Sequence, residues 1–173
     1  TYQCNSRCVM CNIWKMDYSN QAKVDEFATF LQDPLFKKVE DVGINGGEPS
    51  LVVNLPKYAA EILKLPSLKT LNIISHGFSP KLLLPTLKDI YAQCKAKGIP
   101  FHVSISLDGT EEIHNTVRGS KVYDKTFATI LEIQNNKGEY CDSMNVGCTV
   151  MQQNVDDLAA FESLVNKHNI DIK

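Results

Sequence analysis

The feature that most constrains this 173-residue chain is a rhythm in which short apolar, β-branched runs alternate with amphipathic stretches of helical period. Each crossover between parallel strands needs about a dozen residues or more, usually a helix, so this alternation predicts a parallel sheet covered by helices. The strand candidates are a stub at Thr1 to Gln3, then Lys38 to Ile44, Leu68 to Ser75, Phe101 to Leu107, Met144 to Val150, and a further strand opening at Ile170 and cut short. Helical patterns cover Lys23 to Gln32, Pro56 to Lys64, Pro80 to Lys97, Lys125 to Lys137 and Val155 to Lys167. Pro56 suits a first helical turn, and Gly98 and Gly138 suit positions just past a helix end. Asn154, ahead of Asp156 and Asp157, reads as a helix cap with acids in the first turn. A hydrophobic content of 43% over this length predicts one core and one domain. The start at Thr1 and the cut strand at Ile170 predict a fragment of a longer protein.

Charge excludes some functions. The net charge is −2, with 18 basic residues scattered among 20 acidic ones, and no basic stripe suits nucleic acid. No apolar run approaches the roughly 20 residues of a membrane span, and no signal segment opens the chain. The expectation is a cytoplasmic protein without nucleic-acid or membrane partners.

In parallel α/β folds, chemistry gathers on the loops at the carboxyl ends of the strands. Cys4-Asn5-Ser6-Arg7-Cys8-Val9-Met10-Cys11 follows the first strand candidate, Asn45-Gly46-Gly47-Glu48-Pro49 the second, Ser75-His76-Gly77 the third, and Asp108-Gly109 the fourth. Three cysteines within eight residues suit a metal centre in a reducing compartment better than a disulfide framework. The count of three matters: structural zinc takes four ligands, and an electron-transfer 4Fe-4S cluster takes four cysteines. A 4Fe-4S cube on Cys4, Cys8 and Cys11 leaves one iron open to an outside ligand. The competing readings are a zinc site closed by Cys141, Cys148 or His76, an electron-transfer module without turnover, and metal-free thiols. Cys94, Cys141 and Cys148 read as ordinary buried thiols.

With its C-x3-C-x2-C loop after the first strand and Gly46-Gly47-Glu48-Pro49 after the second, the sequence resembles the radical S-adenosylmethionine superfamily. It is most similar to the branch of the molybdenum-cofactor enzyme and the SPASM peptide-modifying enzymes. The resemblance implies a partial (β/α)6 barrel of TIM type, truncated at both ends, with residues 1–173 as its core domain. It implies a 4Fe-4S cluster on the three cysteines and S-adenosylmethionine on the open iron, its amino group held by Gly46, Gly47, Glu48 and Pro49. Paired glycines allow close backbone approach, and an acid can partner an ammonium. Within Ser104-Ile105-Ser106-Leu107-Asp108-Gly109, Ser106 and Asp108 are the expected ribose and carboxylate contacts, chosen because they share strand parity. Arg118, in His114-Asn115-Thr116-Val117-Arg118-Gly119, is expected near the methionine carboxylate, and His114 as a satisfied loop histidine. The family usually has an aromatic residue where this chain has Met10, whose thioether can also pack on adenine. Many relatives have Thr-Asn-Gly where this chain has Ser75-His76-Gly77; Ser75 keeps a polar contact and His76 has no assigned role. Trp14 is expected to shield the cluster or fill the core, the second being the commoner fate of a lone Trp. The implied chemistry is cleavage of S-adenosylmethionine to a 5′-deoxyadenosyl radical, which takes hydrogen from an unidentified peptide or small molecule. It requires an external one-electron donor of the flavodoxin or ferredoxin type.

Overall fold

The computed structural model describes residues 1–172. Strands β1 (Asp41–Ile44), β2 (Thr70–Ser75), β3 (Phe101–Ser106), β4 (Ser143–Gly147) and β5 (Asp171–Ile172) form one parallel sheet in sequence order. Helix α1 (Val24–Phe30) precedes the sheet, and α2 (Leu55–Ile62), α3 (Pro80–Lys97), α4 (Glu111–Arg118), α5 (Tyr123–Asn135), α6 (Lys137–Tyr140) and α7 (Leu158–Lys167) supply the crossovers. The sheet does not close on itself among the described residues, as a partial barrel of TIM type requires. None of the described helices is long and apolar enough to cross a membrane.

Strand alternation sets the two faces apart. One face buries Leu71, Ile73, Phe101, Val103, Ile105, Met144 and Val146 in the same core as Leu83, Leu87 and Ile90 of α3 and Ile130 and Ile133 of α5. The other carries Asn72, Ser104, Ser106 and Asn145, all half-buried, with Ser104 donating to Asn145 Oδ1 at 2.8 Å. A parallel sheet covered on both faces reads as near-continuous apolar runs. This one is polar at most alternate positions, Ile74 being an exposed exception, because helices pack on one side.

Several sequence expectations are corrected. Thr1 to Gln3 is not a strand: it accepts only two backbone hydrogen bonds, from the Gly47 and Glu48 amides, alongside the loop after β1. The strand expected from Lys38 begins at Asp41, because Pro34–Lys38 winds into a 3-10 turn capped by the Asp33 carboxylate. Gly138 does not end a helix; α5 stops at Asn135 and α6 runs through the glycine. Asn154 stands at the N-cap of a 3-10 turn, Val155–Asp157, but its side chain makes no capping bond. Its buried side chain donates to the Asp108 and Thr149 carbonyls and accepts from the Met151 amide, tying the loop after β4 to the loop after β3. Helix α4 was not predicted. Its sequence, EEIHNTVR, carries only Ile113 and Val117 as aliphatics, too few to reveal a helical stripe.

Candidate active site

The cysteine loop lies between the Glu48 loop and the end of α4. Arg7 N–H donates to Arg118 O at 3.4 Å, Val9 N–H to Val117 O at 2.9 Å, and the buried Ser6 hydroxyl to Arg118 O at 3.3 Å. Those carbonyls belong to the last turn of α4, where a helix has acceptors to spare. Cys4, Cys8 and Cys11 are free, half-buried thiols. Donors reach two of the sulfurs: Ile13 N–H lies 3.4 Å from Cys11 Sγ and Arg118 Nη1 3.6 Å from Cys8 Sγ, with the Ser6 hydroxyl 3.0 Å from Cys8 Sγ. N–H and guanidinium donors stabilise thiolate, the form that ligates metal. Burial raises the Cys4 thiol; the Ser6 amide opposes this, while Cys8, Glu48 and Cys11 raise it further. A cationic centre among these groups would relieve that mutual repulsion, so the donor set fits an iron-sulfur cluster. Zinc would draw its ligands in at about 2.1–2.3 Å, and no three His, Cys, Asp or Glu side chains among the described residues converge on a single-ion site.

Glu48 is fully buried, and among the described residues no lysine or arginine bonds it. Its Oε1 accepts from Ser75 Oγ at 2.7 Å and Ser50 N–H at 3.0 Å, and its Oε2 from His76 N–H at 3.0 Å. Three of the roughly four acceptor positions of a carboxylate are thus engaged within the protein. Gly47 N–H donates to Thr1 O at 2.7 Å and Glu48 N–H to Gln3 O at 2.8 Å. A Cβ on Gly46 would collide with Thr1 O and one on Gly47 with Gln3 O, so the paired glycines admit the chain leading into Cys4. Pro49 opens a buried 3-10 turn immediately after the acid.

His76, nearly buried, stacks on Phe78 with ring centroids 3.7 Å apart. Phe78 N–H donates to Nδ1 at 3.1 Å, so the ring proton sits on Nε2, 2.7 Å from Asn5 Oδ1 on the cysteine loop. Burial lowers the His76 pKa to about 4, with Glu48 opposing and Arg118 adding to the shift. The 3.3 Å approach of Nδ1 to Glu48 is therefore a contact of a neutral ring and not an ion pair.

Asp108 is also fully buried, with a different set of partners. Arg118 Nε donates to its Oδ2 at 2.5 Å and Thr149 N–H to its Oδ1 at 3.1 Å. Arg118 thereby bridges Asp108 and Cys8. His114 sits on α4 and not on a loop, and its Nδ1 accepts the Asp108 amide at 3.2 Å. Its Nε2, buried, has no hydrogen-bond partner among the described residues. Burial, then Arg118 and His76, lower its pKa to about 3.

Ser106 and Asp108 do not share a setting. The strand ends at Ser106, which stays half-buried on the polar face, and Asp108, beyond the strand end, is fully buried. Met10 lies on the exposed side of the cysteine loop. Trp14 is outside the core; its Nε1 donates to Cys11 O at 3.1 Å, and Arg7 and Lys15 lie over its ring. Cys94 and Cys141 are buried as expected, with pKa values raised by burial to about 11 and about 12, whereas Cys148 is half-buried beside Asn154 on the rim. Asn5, Ser6 and Thr149 were missed and Asn154 was read only as a cap, and nothing in their local sequence marks which distant loop each would meet.

An open parallel sheet with three thiols and two buried carboxylates on one rim defines a cofactor-dependent α/β enzyme core. The chain belongs to the radical SAM superfamily, whose family model matches residues 1–161; its members use a 4Fe-4S cluster and S-adenosylmethionine. It is 23% identical over 180 residues to a GTP 3′,8-cyclase of Clostridium botulinum, covering 100% of this chain and 53% of that protein. It is 24% identical over 172 residues to an Fe-coproporphyrin III synthase of Methanosarcina barkeri, covering 98% of this chain and 40% of that one. The chain thus spans about half the length of these relatives or less. Among solved structures, native anSMEcpe with bound AdoMet superposes with a TM-score of 0.76 at 17% identity, over 99% of this chain and 48% of that one. Streptococcus suis SuiB bound to S-adenosylmethionine does so with a TM-score of 0.69 at 15% identity, over 97% and 36%.

Proposed function

We propose that residues 1–173 are the core domain of a radical SAM enzyme in which Cys4, Cys8 and Cys11 hold a 4Fe-4S cluster with one iron left for S-adenosylmethionine. A cluster held there would supply one-electron reducing chemistry for cleaving S-adenosylmethionine and so for radical abstraction of hydrogen from a substrate. The protein's part is to bind, orient and shield. Gly46, Gly47 and Pro49 shape the loop that meets the methionine amino group, and Glu48 and Ser75 hold that loop. Asp108 fixes Arg118 Nε, and the outer guanidinium nitrogens would serve the methionine carboxylate and the Cys8 thiolate. Ser106 would meet the ribose and Met10 the adenine.

The observation that carries this reading is the docking of the cysteine loop between the Glu48 loop and the end of α4, which brings both proposed sets of ligands to one rim. The electron donor is an external protein of the flavodoxin or ferredoxin type. The substrate is a peptide or small molecule; peptide-bound structures of anSMEcpe and of SuiB with its precursor peptide SuiA support the first. Protein reconstituted anaerobically, then given dithionite and S-adenosylmethionine, is expected to form 5′-deoxyadenosine. A fully loaded cluster that yields none would return the chain to an electron-transfer role, and protein carrying zinc without iron or labile sulfide would remove the cluster altogether. Cys8→Ala is expected to lose both chromophore and product.

A further inference from the structure

The cysteine loop is held from two sides by different means. Toward α4 the anchors are mostly backbone, through Arg7 and Val9. Toward β2 there is one side-chain tie, from His76 Nε2 to Asn5 Oδ1 at 2.7 Å, and Asn5 itself is exposed. The same histidine is locked by four contacts. Its amide donates to Glu48 Oε2, its Nδ1 accepts from Phe78 N–H, its carbonyl accepts from buried Thr126 Oγ1 at 3.1 Å, and its ring stacks on Phe78. Residue 76 is therefore one rigid piece whose backbone grips the Glu48 carboxylate and whose side chain grips the residue next to Cys4.

We infer that His76 is a positioning residue that fixes the distance between the cysteine loop and the Glu48 loop through its hydrogen bond to Asn5. The inference rests on the function proposed above, since S-adenosylmethionine would touch both loops at once. A rigid link of this kind keeps the two halves of a binding site at the spacing the ligand needs before it arrives. An imidazole suits the span because its two nitrogens divide the work: Nδ1 is tied to the strand end and Nε2 reaches across.

The test uses side chains that keep one nitrogen's role and lose the other. In H76N the amide oxygen can still accept from Phe78 N–H but the side chain falls short of Asn5; in H76Q the amide nitrogen can reach Asn5. N5A removes the partner at an exposed position where folding is not at risk. With metal-free protein, trypsin cleavage after the exposed Arg7 is expected to speed up several-fold in H76N and N5A. With anaerobically reconstituted protein, both variants should keep wild-type iron and sulfide content. Their dissociation constant for S-adenosylmethionine should rise by about tenfold, the loss expected for one hydrogen bond of about 1.4 kcal/mol, and the electron paramagnetic resonance change on adding S-adenosylmethionine should broaden. The double variant should be no worse than either single one, and H76Q should recover most of the affinity.

Affinity within twofold of wild type in both H76N and N5A, or additive losses in the double variant, would overturn the inference. Should H76N fail to fold, N5A alone decides the matter. Wild-type protein that binds no cluster or no S-adenosylmethionine would instead overturn the proposed function, so the two failures are distinguishable.

Discussion

The two sides of the rim solve the same problem differently. Each buries a carboxylate completely, Glu48 on one side and Asp108 on the other, and each sets a buried histidine beside it. Asp108 is compensated by a guanidinium, whereas Glu48 is held by a hydroxyl and two backbone amides. The histidines are matched in one respect: each Nδ1 accepts a backbone N–H, which leaves the proton on Nε2. They differ in what that proton finds. His76 reaches Asn5, while His114 Nε2 finds no hydrogen-bond partner among the described residues and its ring stands edge-on to Tyr123, with centroids 5.9 Å apart. The Glu48 side is thus a carboxylate held by uncharged donors, and the Asp108 side is an ion pair whose guanidinium also touches Cys8 Sγ.

The sharpest way to break the contrast is to remove the cation. Arg118→Met keeps the apolar stem of the side chain and leaves Asp108 buried without a countercharge, a change that typically costs about 3–5 kcal/mol. Urea unfolding of the metal-free chain should show a loss in that range. A loss below about 1 kcal/mol would mean that Asp108 is held well enough by Thr149 alone.

On the Glu48 side the corresponding change is gentler. Glu48→Gln preserves shape, and its amide oxygen can still accept from Ser75 and Ser50. The amide nitrogen, however, would then face the His76 N–H, donor against donor. The expected cost is about 1–3 kcal/mol, the range for a buried donor left unmet. Turning the amide over would only move the clash to the Ser50 N–H, so stability unchanged in E48Q would mean that these amides contribute little to holding the loop.

The sequence told these two sides apart poorly, for a physical reason. Gly46-Gly47-Glu48-Pro49 and the cysteine spacing are contiguous, so the motifs and the order of strands and helices were legible, and the parallel sheet follows from them. The ties that arrange the site connect residues far apart in the chain: His76 with Asn5, Arg118 with Cys8, Asn154 with Asp108. Nothing local to Asn5 or Asn154 records the distant partner. The glycine pair was read as room for a ligand, and in the fold it also makes room for Thr1 and Gln3. Ser106 and Asp108 were paired by strand parity, but the strand stops at Ser106 and the two differ in burial.

The two histidines give the comparison a pH dependence. His114 stays neutral in the fold down to about pH 3, yet takes a proton below about 6.5 once unfolded. Its folded pKa is depressed, so the unfolded state binds more protons throughout that window. Stability is therefore fully present above about pH 6.5 and falls as pH drops toward 3, by up to about 1.4 kcal/mol per pH unit from this one group. In His114→Asn the amide oxygen can still accept from the Asp108 amide, and the titrating ring is gone. Stability measured at pH 6.5 and 5 should then differ less in H114N than in the unaltered chain. Equal slopes would mean that the buried ring is not what responds to acid.

The smallest expected effect tests whether the Glu48 side owes its rigidity to α5. Thr129, buried on that helix, donates its hydroxyl to Gly77 O at 2.8 Å, and Thr126 does the same to His76 O. Thr129→Val replaces the hydroxyl with a methyl of similar size and leaves the Gly77 carbonyl without that donor. A loss of about 1 kcal/mol is expected, the ordinary net worth of one neutral hydrogen bond. Faster exchange of the Gly77 and Phe78 amides should accompany it, because those donate to Ser75 Oγ and His76 Nδ1. Exchange unchanged at these amides, with the same loss of stability, would separate the helix from the Glu48 side and leave the stacking of His76 on Phe78 to hold that corner.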